Sequence, residues 1–297
     1  HFTHSVVPIA DLDIVIDPAD IKDPRMWHLL LEVCPGELSA VACPLYDGGS
    51  GLMLQRIPLG SHDEAAPELS PSPSVVLKNL EDAVYDHPAL LLDYRQVTVL
   101  FDTERFMAVP DAIGPESEMM RLAFSSAFPA AGRREMLATH VPQMNLNIAF
   151  DVDADTLGFI RRTFHNASVR HTLAPLCSYF RQKYPGGVKG KTLVNFDGGR
   201  MDMIVLGASA PLALNSFRFR EPMDAVYYIL AVRERLALAD TDEIMIGGDR
   251  AMRAAVTPAL RRFVRYVMPA IFPSVMFRMG RDALASPFSL ILAPLTQ

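Results

Sequence analysis

Only three cysteines, Cys34, Cys43 and Cys177, are spread through the 297 residues, too few for a disulfide scaffold. Cys34 and Cys43 could face each other across a hairpin, but unpaired core thiols are the simpler reading. Long apolar runs are missing as well. The longest uncharged stretches, 203–217 and 283–297, are interrupted by Pro and polar groups, and a spanning helix needs roughly 20 apolar residues. No membrane span is therefore expected. His1-Phe2-Thr3-His4 carries neither a basic n-region nor an apolar h-region, so no export signal is expected and a cytoplasmic location is the default. Positive charge is in deficit: the net charge of −6 argues against a general electrostatic grip on nucleic acid or an anionic membrane. Gly-x-Ser-x-Gly, Walker, Cys-x-x-Cys and His-Glu-x-x-His motifs are all absent. His165, His171 and Cys177 are spaced like no common zinc site, which leaves them loop or core roles.

What is present is half apolar and long enough for two domains. The tetrapeptide Asp-Ala-Val-Tyr occurs twice, at residues 82–85 and 224–227, each time in an apolar helical stretch. The two copies lie too far apart for a solenoid period, so one duplicated domain is expected. In the first half, 27–34 and 39–45 read as a hairpin around Pro35-Gly36, with 51–59 as a third strand. Residues 60–74, rich in Pro, Ser and acids, read as a loop without periodicity. A helix over 75–87 and strands over 97–101 and 106–109 follow, then a helix over 117–128. Further elements are a strand over 144–151 and helices over 155–163 and 172–183, the last ended by Tyr184-Pro185-Gly186-Gly187.

The first pattern then returns. Strands over 192–196, 202–206 and 212–219 form a meander, followed by a helix over 222–237 that starts on Pro. A strand over 243–246 runs into Gly247-Gly248, and 250–268 reads as one helix bent at Pro258. The result is a β-β-β-α-β unit in tandem: an α/β (α+β) chain of duplicated ribonuclease-H-like, actin-like architecture. Its expected lobes are 1–145 and 146–297. Doubly wound dinucleotide folds would alternate strand and helix from the start.

The segments Lys78-Asn79-Leu80-Glu81-Asp82-Ala83-Val84-Tyr85, Ala213-Leu214-Asn215-Ser216-Phe217, Asp224-Ala225-Val226-Tyr227-Tyr228-Ile229-Leu230 and Gly247-Gly248-Asp249 carry a resemblance over roughly residues 25–297. The chain resembles an uncharacterised bacterial family, domain of unknown function 3822, whose fold is actin-like and ATPase-related. That resemblance implies a fold and no assigned activity.

In the wider superfamily, an Asp-x-Gly turn in the first hairpin grips phosphate while its Asp organises Mg²⁺. Here the matching turn is Glu32-Val33-Cys34-Pro35-Gly36-Glu37: Pro35 lacks an N–H donor, and Glu37 places negative charge where phosphates would sit. The second hairpin retains Asp197-Gly198-Gly199, and Gly247-Gly248 resembles the adenosine-contacting pair. Asp197, Gly198, Gly199, Gly247 and Gly248 are thus the candidate nucleotide contacts. Each also has a plainer reading: a tight β-turn, and a strand-to-helix turn with Asp249 as helix cap. No catalytic carboxylate or metal ligand stands out. The expectation is a non-catalytic scaffold or interaction module with an unidentified protein partner or a second copy of itself, needing no cofactor. The alternative is an ATP/Mg-binding switch or weak ATPase using the cleft between lobes. Lower still stands RNA contact through Arg250, Arg253, Arg261, Arg262, Arg265, Arg278 and Arg281, more simply a solvated helix face.

Overall fold

The computed structural model describes residues 15–45, 51–60, 72–129, 132–271, 273–274, 283 and 285–296. The expected loop at 60–74 lies mostly outside them, and Arg278 and Arg281 lie wholly outside.

Two five-stranded sheets dominate. The first holds β1 (Trp27–Cys34), β2 (Glu37–Pro44), β3 (Met53–Pro58), β4 (Gln96–Phe101) and β8 (Ser168–His171), ordered β3-β2-β1-β4-β8. The second holds β9 (Thr192–Asp197), β10 (Arg200–Leu206), β11 (Pro211–Arg218), β12 (Ile244–Gly248) and β13 (Val267–Pro269), ordered β11-β10-β9-β12-β13. In both, an antiparallel meander is followed by a strand parallel to its first member and a fifth strand parallel to that one. The expected duplication is therefore real at the level of topology. Each crossover carries a helix, α1 (Pro73–Tyr85) in the first and α5 (Pro222–Arg235) in the second, as parallel strands require.

Between β4 and β8 the first unit carries an insertion. It comprises β5 (Phe106–Pro110), α2 (Glu118–Ala127), β6 (Arg134–Val141) and β7 (Leu146–Asp153), which pair as a separate sheet β5-β7-β6, followed by α3 (Ala154–Thr163). Since β7 pairs within this insertion and β8 hydrogen-bonds to β4, the first unit runs past the expected division at 145/146 to His171. The strands β6 and β8 carry no clear period and were not expected from the sequence. The helix expected over 250–268 also stops early. Here α6 (Arg250–Leu260) contains Pro258, and the chain then turns to give β13.

Both faces of both sheets are covered, which is why β1 and β10 are almost continuously buried. On the outer face of the first sheet, Leu29, Leu31 and Val33 pack against α1 and α3; on the second, Phe196, Met201 and Met203 pack against α5 and α6. The inner faces receive α4 (Leu173–Lys183) and α7 (Phe288–Leu292). Leu290 and Ala293 meet Leu30 and Leu100, while Phe288, Leu292 and the apolar residues of α4 meet Leu193, Ile204 and Met245. The C-terminal helix thus returns to lie between the sheets.

The repeated tetrapeptide behaves alike in burial but not in register. Ala83-Val84 and Ala225-Val226 are buried while Tyr85 and Tyr227 are exposed. Yet Asp82 lies in the last turn of α1, whereas Asp224 lies in the first turn of α5 and closes its capping box with Glu221. The duplicated unit is in the strands and their connections; the identical tetrapeptides occupy opposite ends of the equivalent helices.

Gly248 shows how tightly the second unit is built. Its φ is +80°, and a Cβ there would land on the Phe196 backbone across the β12–β9 pair. Gly248→Ala is expected to cost at least about 3 kcal/mol in urea denaturation. Gly198→Ala, with φ +51° and open space around it, is expected to cost only about 1–2 kcal/mol. Equal losses at the two positions would contradict this packing.

Candidate functional site

Strand alternation places the polar residues of the two units at one locus. On β1 the inner-face residues run His28, Leu30, Glu32, Cys34, and on β4 Thr98 and Leu100 lead to Asp102. On the second sheet the same period leads from Leu193 to Asn195 and Asp197, from Ile204 back to Asp202 and Arg200, and from Leu214 to Ser216 and Arg218. Each strand gives apolar side chains to the middle of its inner face and polar ones to the end that faces the other sheet.

Arg200, 1% exposed, is the centre of this cluster. Its Nη2 lies 3.1 Å from Glu32 Oε1 and 3.5 Å from Asp197 Oδ2, its Nη1 2.8 Å from Asp102 Oδ2, and its Nε 3.2 Å from Asp202 Oδ2. One guanidinium from the second sheet therefore meets two carboxylates of the first unit and two of its own. Arg218 supports it from the rim, pairing with Asp102 and, at 3.1 Å, with Glu104. Ser289 of α7 donates to Glu32 Oε2 at 2.7 Å, and Ser216 donates to Asp202. The C-terminal helix, the first hairpin and the second hairpin meet here.

Four carboxylates against Arg200 and a half-exposed Arg218 leave negative charge in excess. Burial, and then the neighbouring Asp197, push the Glu32 carboxyl up to about 8 despite the opposing pull of Arg200 and Ser289. Burial likewise raises Asp197 and Asp202 against the pull of Arg200. Burial alone would lower Arg200, but Asp202, Asp102 and Glu32 outweigh it and hold the guanidinium charged. The Cys34 thiol is pushed well up by burial and by Glu32, which makes it inert at neutral pH.

Each nucleotide candidate has a definite place. Gly198 and Gly199 form the two-residue turn between β9 and β10, with positive φ at both, as a type I′ turn requires. Nothing lies within 4 Å of a Cβ built on Gly198, so this turn faces open space. Asp197, in contrast, is already engaged by Arg200. Gly247 is covered: a Cβ there would sit 3.3 Å from both Ala270 Cβ and Phe288 Cδ1. Gly248 is held against Phe196, and Asp249 caps α6 by accepting from Met252 N at 2.7 Å. In the first hairpin, Pro35-Gly36 makes the turn and Glu37 pairs with Arg56 at 2.9 Å.

Glu32, Cys34 and Asp197 bring one donor atom each within 4.8 Å of one another, the spacing of a metal site. The Arg200 guanidinium lies against the same two carboxylates, so a cation already occupies that charge position. His171 has both ring nitrogens engaged: Nδ1 accepts from Leu173 N at 3.1 Å and Nε2 donates to Thr103 O at 3.0 Å. Burial lowers its pKa to about 4, in keeping with the core role expected from its spacing. Sequence reasoning missed Arg200 and Asp102. The signal was available in the period-2 alternation, which puts a charge two residues from a buried apolar residue on three strands: Leu30 to Glu32 on β1, Leu100 to Asp102 at the end of β4, and Ile204 to Asp202 on β10.

Glu32 sets a pH dependence. Its folded pKa of about 8 exceeds the unfolded 4.5, so the native state holds a proton that the unfolded chain has lost, and this contribution fades as pH rises from 4.5 through 8. The stability of Glu32→Gln relative to the unmodified protein is expected to rise by about 1.4 kcal/mol per pH unit between pH 5 and 8. Urea denaturation at three pH values checks it; a constant gap between the two proteins would contradict the assignment.

Comparison with solved structures places this architecture. A Bacteroides thetaiotaomicron protein with actin-like ATPase fold and unknown function is similar with a TM-score of 0.71 at 19% identity, over 93% of this chain and 98% of that one. At lower TM-scores, the PilM–PilN type IV pilus biogenesis complex is similar at 0.47 and 12% identity, over 92% of this chain and 98% of that one. The ethanolamine utilization protein EutJ from Carboxydothermus hydrogenoformans is similar at 0.45 and 11% identity, over 94% and 92%. The first of these likenesses shows the fold, the actin-like ATPase fold. No curated protein matches the sequence. Residues 55–267, well over half of the chain, match the sequence model described as protein of unknown function (DUF3822). The chain belongs to that family.

Proposed function

We propose that this protein is a non-catalytic scaffold or protein-interaction module built on an actin-like fold. The observation that carries this reading is the position of Arg200. Its guanidinium fills the charge position between the two hairpins and is held there by carboxylates of both units. An anionic phosphate chain entering that position would meet Asp102, Asp197 and Asp202, with the Arg200 guanidinium already committed to them. At 4 Å each unscreened like-charge contact costs about 4 kcal/mol at an effective dielectric of 20. Phe288 and Ala270 over Gly247 and the missing N–H at Pro35 point the same way. A partner, on this reading, is recognised by the outer surface, and the cleft serves stability.

One feature favours a second reading, an ATP-binding switch or weak ATPase. Both side-chain polar atoms of Asn195 are buried beside Gly247 and find no hydrogen-bond partner among the described residues. Buried unpaired amides cost about 1–3 kcal/mol, and a ligand reaching them would recover part of that.

Titration calorimetry with Mg-ATP separates the two. The scaffold reading expects no saturable heat at millimolar nucleotide and no phosphate release. Micromolar binding with turnover would overturn it, and loss of that binding in Asn195→Leu and Asp197→Ala would establish the switch.

A further inference from the structure

Away from the cleft, on the outer face of the second sheet, a groove of about 410 Å³ runs between α6 and β13. Three arginines, Arg250, Arg253 and Arg261, line it together with Ala254, Thr257 and Val267. The spacing 250, 253, 257, 261 keeps all four residues on one broad face of α6 and its continuation. From Arg250 to Arg261 the axis covers roughly 16 Å, so the groove is elongated and positive at both ends.

Two of these guanidinium groups are held in place by backbone. Arg253 Nε donates to Gly248 O at 3.0 Å, at the end of β12, and Arg261 Nη2 donates to Val267 O at 3.2 Å on β13. Among the described residues no other hydrogen bond engages their remaining guanidinium N–H groups. Among the described residues no carboxylate lies within ion-pair distance of Arg250, Arg253 or Arg261, although the protein as a whole is acidic. The carboxylate next in sequence, Asp249, is turned to the helix end, where it accepts from Met252 N. Arg265, outside the groove, faces Asp240 at 3.9 Å. Apolar Ile246, Val267 and Pro269 form the opposite wall. Oriented guanidinium forks with a partly apolar wall match phosphate groups carried on a small molecule.

We propose that the groove between α6 and β13 is a binding site for a small ligand bearing two or more linked phosphate groups. Separated positive ends favour such a ligand over a single inorganic ion. The volume is that of a small-molecule pocket. An open basic track for nucleic acid would need exposed bases to find stacking partners inside it, and the groove's walls are aliphatic. The site is independent of the cleft and of the scaffold reading.

The test is titration calorimetry of the full chain in EDTA with sodium tripolyphosphate, with orthophosphate as the single-ion control. The expected result is one saturable site for tripolyphosphate, with orthophosphate binding at least tenfold more weakly. Arg250→Gln, whose side chain makes no hydrogen bond or ion pair among the described residues, together with Arg261→Gln should weaken binding at least about tenfold, or 1.4 kcal/mol. Melting temperature should be unchanged in Arg250→Gln alone, which should lose part of the affinity. Asp197→Ala, in the cleft, should bind tripolyphosphate normally. The proposal is overturned by absence of binding, by full binding in the double variant, by loss in Asp197→Ala alone, or by a single-stranded oligouridylate binding more tightly than tripolyphosphate.

Discussion

A single buried cation ties this molecule together. Arg200 gains its stability only because Glu32, Asp102, Asp197 and Asp202 converge on it, and those carboxylates are tolerable in the interior only because Arg200 is there. Neither side can be removed alone without stranding charge. The cluster spans the two sheets, since β1 and the end of β4 supply two of the acids and β9 and β10 supply the other two and the arginine. Ser289 adds the C-terminal helix to the same network through Glu32.

This arrangement follows from how a duplicated β-β-β-α-β unit must bury itself. Both faces of each sheet are covered, so the middle of every inner strand is apolar, and α4 and α7 fill the space between. Polar side chains then collect where the two hairpins approach each other, beside the start of α7. That locus is occupied by the protein's own charges, with proton uptake by Glu32 relieving the negative excess. Stability and the chemistry open to the cleft are therefore coupled: whatever opens the cleft must break buried ion pairs.

Much of the architecture was legible in the sequence because it rests on local signals. The Pro35-Gly36 and Gly198-Gly199 turns, the alternating runs before them and Pro222 at the start of α5 mark the repeated meander and crossover. Elements that depend on tertiary partners were not legible. The short β8 is a strand only because β4 offers an edge to it, and β6 exists by pairing with β7. The helix pattern after Asp249 continues in the sequence past Leu260, but the chain instead turns to pair Val267 with Ile244. The duplicated tetrapeptide pointed to the correct architecture through helices that are equivalent, although the two copies sit at different ends of them. At the cleft, Asp197 was recognised by its turn, while Arg200, three residues on, carried no motif; the alternation on β10 marks its face, but its partners Glu32 and Asp102 come from the other sheet.

The claim that one guanidinium bridges the two units is tested most directly by a double-mutant cycle between Arg200→Met and Asp102→Leu, with unfolding free energies from urea denaturation. These residues are far apart in sequence and meet at 2.8 Å across the cleft. Each single change should cost about 3–5 kcal/mol. The pair should cost less than the sum by about 2 kcal/mol or more. Additive losses would mean that the contact does not hold the sheets together, and would contradict the account.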